Sequence, residues 1–100
     1  MITDKQFDDA FTAAGGWFIA KYYTMALNWE GSKSELVDKI YLDGTDANRS
    51  GTNTRVSSLI RIIDNKRGYE ALLKISESTR IAKQNPDSVI EAKRLLKEIF

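Results

Sequence analysis

Apolar residues recur along this chain at spacings of three and four, and no stretch alternates with a period of two, so the pattern predicts helices throughout. The opening "TDKQ" has capping-box spacing, with Thr3 and Gln6 placed to satisfy each other's backbone amides. Phe7, Ala10, Phe11 and Ala14 then share one face up to Gly15-Gly16, which predicts a first helix over residues 3–14. The next segment, Trp17 to Glu30, is apolar nearly all round. Phe18, Tyr22, Met25, Ala26 and Trp29 lie on one side, Ile19, Tyr23 and Leu27 beside them, and only Lys21, Thr24 and Asn28 form a polar stripe. A helix of that kind is expected at the centre of a bundle, here with Gly31 as its C-cap.

"SKSELVDKIYLDG" repeats the capping-box spacing at Ser32 and Glu35 and carries Leu36, Val37, Ile40 and Tyr41 at helical intervals, a third helix. "DGTDANRSG" reads as a turn-rich loop of about nine residues. A fourth helix is expected to start at Thr52 or Thr54, with Val56, Leu59, Ile60 and Ile63 inward and Ile62 as the one apolar residue on the polar side. Tyr69, Leu72, Leu73 and Ile75 predict a fifth helix that becomes vague after "SESTR". Asn85-Pro86-Asp87 restarts the chain into a last helix with Val89, Ala92, Leu96, Ile99 and Phe100. The expected fold is all-α: one domain over residues 1–100, a compact bundle of five to six short helices.

Composition narrows the chemistry. With 42% hydrophobic and 29% charged residues the 100-residue chain is of ordinary globular type. It contains neither cysteine nor histidine. Disulfides, thiolate metal sites and the commonest general base are therefore excluded, and the expectation is a protein that is not an enzyme and takes no cofactor or metal. The longest apolar run, Trp17 to Ala20, is far below the ~20 residues that span a bilayer. No signal-like apolar region stands near the first residues, so a cytoplasmic location and no membrane partner are expected.

The net charge of +1 conceals an asymmetry. Four lysines against eight acids give residues 1–48 a charge of −4, and the remainder carries +5. Within residues 49–68, Arg49, Arg55, Arg61, Lys66 and Arg67 face Asp64 alone, so nearly all the positive excess lies there.

The helix pair within residues 32–66 resembles a helix-turn-helix, with Ser34 to Leu42 supporting and Thr54 to Asn65 as recognition helix. It departs from that motif in its loop, since the usual turn has ~3–4 residues. The resemblance implies a small regulatory protein that binds nucleic acid, DNA rather than RNA. Thr52, Asn53, Thr54 and Arg55 stand at the end that enters a groove. Asn53, Arg55 and Ser58 would contact bases, and Arg49, Arg61, Lys66 and Arg67 phosphates. The alternative is a protein-interaction module of immunity or inhibitor type, or a self-associating bundle, whose acidic and basic halves dock on complementary surfaces. A homo-oligomer is compatible with either reading.

Other candidates are weaker. Asp46, Asn48, Ser50 and Gly51 match positions 1, 3, 5 and 6 of an EF-hand loop, but Ser57 stands where its bidentate glutamate belongs. The aromatics from Trp17 to Trp29 have core spacing, while Trp17, Lys21, Thr24 and Asn28 form a possible partner-binding strip. No carboxylate pair shares a face with an evident acid–base role.

Overall fold

The computed structural model describes residues 1–44 and 46–100. Among them the chain forms seven helices and no strand: α1 (Asp4–Ala14), α2 (Gly16–Leu27), α3 (Lys33–Leu42), α4 (Arg49–Asp64), α5 (Gly68–Ser76), α6 (Thr79–Gln84) and α7 (Pro86–Ile99). The class is the expected one. The additional helix is α6, in the stretch the sequence pattern leaves vague: the Ser78 hydroxyl accepts from the Ile81 amide at 3.1 Å, and Ile81 is its buried anchor.

Local signals place several ends. The Thr3 hydroxyl accepts from the Gln6 amide at 3.1 Å while the Gln6 side chain accepts from the Thr3 amide at 3.0 Å, and Ser32 and Glu35 repeat the arrangement. Gly15 joins α1 to α2 at φ +86°, a conformation that favours glycine. The expected extent of α2 is too long. It stops at Leu27 with Asn28 as cap, so Gly31 is not its terminator, and the Trp29 indole donates to the Ser32 carbonyl at 2.9 Å on the way to α3.

The fourth helix departs most from expectation. It begins at Arg49 because the Asn48 side chain caps it, accepting from the Gly51 amide at 2.8 Å. Residues 43–48 are left as the connection in place of the nine-residue loop; Thr45 within it lies outside the described residues. Its inward face is also turned from the expected one. Thr52, Val56, Leu59 and Ile62 are buried, whereas Ile60 and Ile63 are only half-buried. The reason is that α4 packs on α1, α2 and α3 together, so more than one stripe is covered.

The helices assemble as two groups, α1, α3 and α4 on one side and α5, α6 and α7 on the other, with α2 packed on both. Phe18, Ile19, Ala20, Tyr22 and Tyr23 of α2 are all buried, which makes it the expected central strut. In α7 the buried residues are Ser88, Val89, Ala92 and Leu95. Leu96 is half-buried, and Ile99 and Phe100 are exposed rather than core. Asn85 precedes Pro86 as expected, but its side chain makes no capping bond.

Candidate functional site

The basic stretch does not form one open face. Arg55 points inward: Nε donates to Asp46 Oδ1 at 3.0 Å, Nη1 donates to the Ala14 carbonyl at 2.5 Å, and the guanidinium lies 5.3 Å from the Trp17 ring centre. A cation at the C-terminal carbonyls of α1 is favoured by the helix dipole. Thr52, fully buried, donates to the other Asp46 oxygen at 2.9 Å. Thr52 therefore cannot reach a base edge, and Arg55 is spent within the fold. Both assignments are corrected for a shared reason: Asp46 is the partner of each, and Arg55 is bound to the α1–α2 joint as well.

Arg49 and Arg67 are also interhelix ties. Arg49 donates to Asp38 at 2.6 Å and to the Ser34 hydroxyl at 3.0 Å, holding the start of α4 on α3. Arg67, with its side chain only 14% exposed, lies 4.2 Å above the Phe7 ring centre and donates to Asp4 and Glu70. That hydrogen bond lowers the Glu70 carboxyl below the ordinary carboxylate range and raises the guanidinium of Arg67. Of the remaining candidates, Thr54 is exposed and bonds the Ser50 carbonyl, Asn53 and Ser58 are half-buried, and Arg61 and Lys66 are exposed, their side chains without a hydrogen bond or ion pair to the described residues. Thr54, Ser58 and Arg61 share one polar stripe of α4. Lys66 sits elsewhere, beyond the end of that helix.

The strip of Trp17, Lys21, Thr24 and Asn28 also divides. Trp17 and Lys21 line a cavity against α7, whereas Asn28 caps α2.

A different surface emerges where α2, α4 and α7 end together. A cleft of about 320 Å³ is lined by Tyr23, Leu27, Ile63, Lys66, Gly68, Ile99 and Phe100. Phe100 is 57% and Tyr69 48% exposed, with their rings edge to face at 5.5 Å on the cleft's margin, and Leu27 and Ile99 are exposed as well. Among the described residues, four of the seven exposed large apolar side chains thus gather at one place, and such clustering, unlike scattered exposure, marks interaction sites. The floor is fixed by Gly68, whose absent side chain admits the Tyr23 hydroxyl against the α5 backbone; burial pushes that phenol up.

Among the described residues, Lys66 is the one charged side chain lining this cleft. The α4 terminus closes as a Schellman motif: the Arg67 amide donates to the Ile62 carbonyl and the Lys66 amide to the Ile63 carbonyl, both at 3.0 Å. Lys66 occupies the left-handed position at φ +59°, the only non-glycine residue with positive φ among those described. Glycine is usual there, and an L side chain costs roughly 1–2 kcal/mol.

Apart from Lys66, these cleft residues are not the ones that charge and motif point to. Ile63, Tyr69, Ile99 and Phe100 read as core from spacing, and the available signal was their position at helix ends, where an apolar stripe runs out of neighbours. Compared with known proteins, the chain matches no family model, no curated protein and no solved structure.

Proposed function

We propose that this chain is a non-catalytic protein-interaction module that docks an acid-flanked amphipathic segment of another protein in the Leu27–Phe100 cleft. The observation that carries this reading is Lys66: an exposed ammonium with no partner among the described residues, held in a strained backbone conformation at the edge of an apolar cleft. Strain kept at a surface position is a pointer to use. An apolar helix face would cover Leu27, Ile99 and Phe100, and a carboxylate beside it would meet Lys66. Two copies docked face to face would crowd their own Lys66 groups, which argues for a different chain as occupant. Nucleic-acid binding by the basic stretch would rest on Arg61 and Lys66 as unengaged cations, on separate surfaces, where several phosphate contacts normally carry such binding.

The test is fluorescence anisotropy with a labelled helical peptide bearing Leu and Phe at i, i+3, i+4 and i+7 and Glu on its other faces. Binding is expected, with about a tenfold loss on Phe100→Ser or Leu27→Ser. A peptide with Lys in place of Glu should bind far more weakly. Equal affinity for the two peptides, or a concentration-dependent mass of the protein alone that Phe100→Ser abolishes, contradicts the reading.

A further inference from the structure

A second cavity, of about 430 Å³, lies between α2 and the first turn of α7, away from the cleft and independent of its reading. Its volume is in the range of small-molecule sites. Trp17 and Lys21 form one wall, and Asn85, Asp87, Ser88 and Glu91 the other.

Three features of this cavity point to a ligand. Ser88 is only 6% exposed and is one of the residues lining the cavity, and its hydroxyl has no hydrogen-bond partner among the described residues. No fully buried side-chain polar atom among the described residues lacks a partner, so this hydroxyl keeps access to the cavity that Ser88 lines and is placed to bond its occupant. The start of α7 is also uncapped: Asn85 makes no side-chain cap bond, Pro86 has no N–H, and the Asp87 amide is unpaired among the described residues. That amide lies at the positive end of a 14-residue helix. Finally, Lys21 and Asp87 line the same space without forming an ion pair, Lys21 resting 5.3 Å from the Tyr22 ring centre. Glu91, by contrast, is tied to Arg94.

Opposite charges held apart across an aromatic-walled cavity complement a molecule that carries both charges at close spacing. We infer that this cavity binds a free α-amino acid with a bulky apolar side chain. The ligand carboxylate accepts from Lys21, the Ser88 hydroxyl and the Asp87 amide. The ligand ammonium donates to the Asp87 carboxylate, and the side chain lies against the Trp17 indole.

The two tryptophans provide an internal control, since the Trp29 indole is bonded to Ser32 outside this cavity. In a ¹H–¹⁵N titration with L-phenylalanine, the Trp17 indole signal should move saturably while that of Trp29 stays in place. The half-charged analogues 3-phenylpropionate and phenethylamine should each bind at least about tenfold more weakly. Ser88→Ala and Lys21→Met should each weaken L-phenylalanine by about tenfold without altering the circular-dichroism spectrum. No movement of Trp17 up to about 20 mM ligand, equal binding of either half-charged analogue, or unchanged affinity in both variants overturns the assignment.

Discussion

The guanidinium of Arg55 donates to the carbonyl oxygen of Ala14 at 2.5 Å, joining residues 41 positions apart across the junction of α1 and α2. The same side chain is paired with Asp46, whose carboxylate is 14% exposed and also accepts from the buried Thr52. A cation that charge patterning assigns to a nucleic-acid surface is thus part of the frame that orients α1, α2 and α4.

Arg55→Met should accordingly destabilise the fold by about 2–3 kcal/mol, because it leaves Asp46 short of its charged partner and the Ala14 carbonyl without a donor. Arg61→Met, which removes an exposed and unengaged cation, should change stability by less than about 0.5 kcal/mol. Urea unfolding of the two variants checks this, and equal effects would remove Arg55 from its structural role.

Gly68 and Tyr23 form a second testable contact. A Cβ at position 68 would overlap the Tyr23 hydroxyl. Gly68→Ala should cost about 1–3 kcal/mol by overpacking, and Tyr23→Phe in the same chain should restore part of it. A double-mutant cycle measures the coupling, which is expected to be favourable to the pair of changes; strict additivity would show that the two residues do not meet.

The Arg67–Glu70 pair makes stability depend on acid. Since the folded Glu70 carboxyl is held below its ordinary value, its contribution is present above the unfolded value, about 4.3, and is lost as pH falls through the lower folded value. The stability difference between the native chain and Glu70→Gln should be level above about pH 5 and shrink at lower pH. A difference that stays level down to about pH 2 would rule the linkage out.

Lys66 should show a trade between stability and binding. Lys66→Gly relieves the left-handed backbone and should raise stability by about 0.5–1 kcal/mol, after the added freedom of glycine in the unfolded chain is counted. The same change should weaken the acidic peptide. A glycine variant that is less stable, or that binds as well as the native chain, would deprive the lysine of the role given to it.

Much of the helical frame is legible in the sequence because its signals are local. Thr3 with Gln6, Ser32 with Glu35, and the spacing of Phe7, Ala10, Phe11 and Ala14 each act within one or two turns. The start of α4 is not, since Arg-Ser-Gly in its first turn has the composition of a loop and only the Asn48 cap makes it helical. Nor is the face of α4, because Leu59, Ile60, Ile62 and Ile63 satisfy more than one helical stripe and the choice is made by packing on α1, α2 and α3. The role of Arg55 depends on Ala14 and Asp46, and the cleft on helix ends far apart in the chain. Periodicity carries no information about such meetings.

The most direct test of the docking surface is a ¹H–¹⁵N correlation titration of the protein with the Glu-flanked amphipathic peptide and, separately, with duplex DNA at low salt. The peptide is expected to move the amides of Leu27, Ile63, Lys66, Tyr69 and Ile99 together and saturably, while DNA leaves them in place. Shifts produced by DNA and centred on Asn53, Ser58 and Arg61, with no response of the cleft to the peptide, would contradict the account.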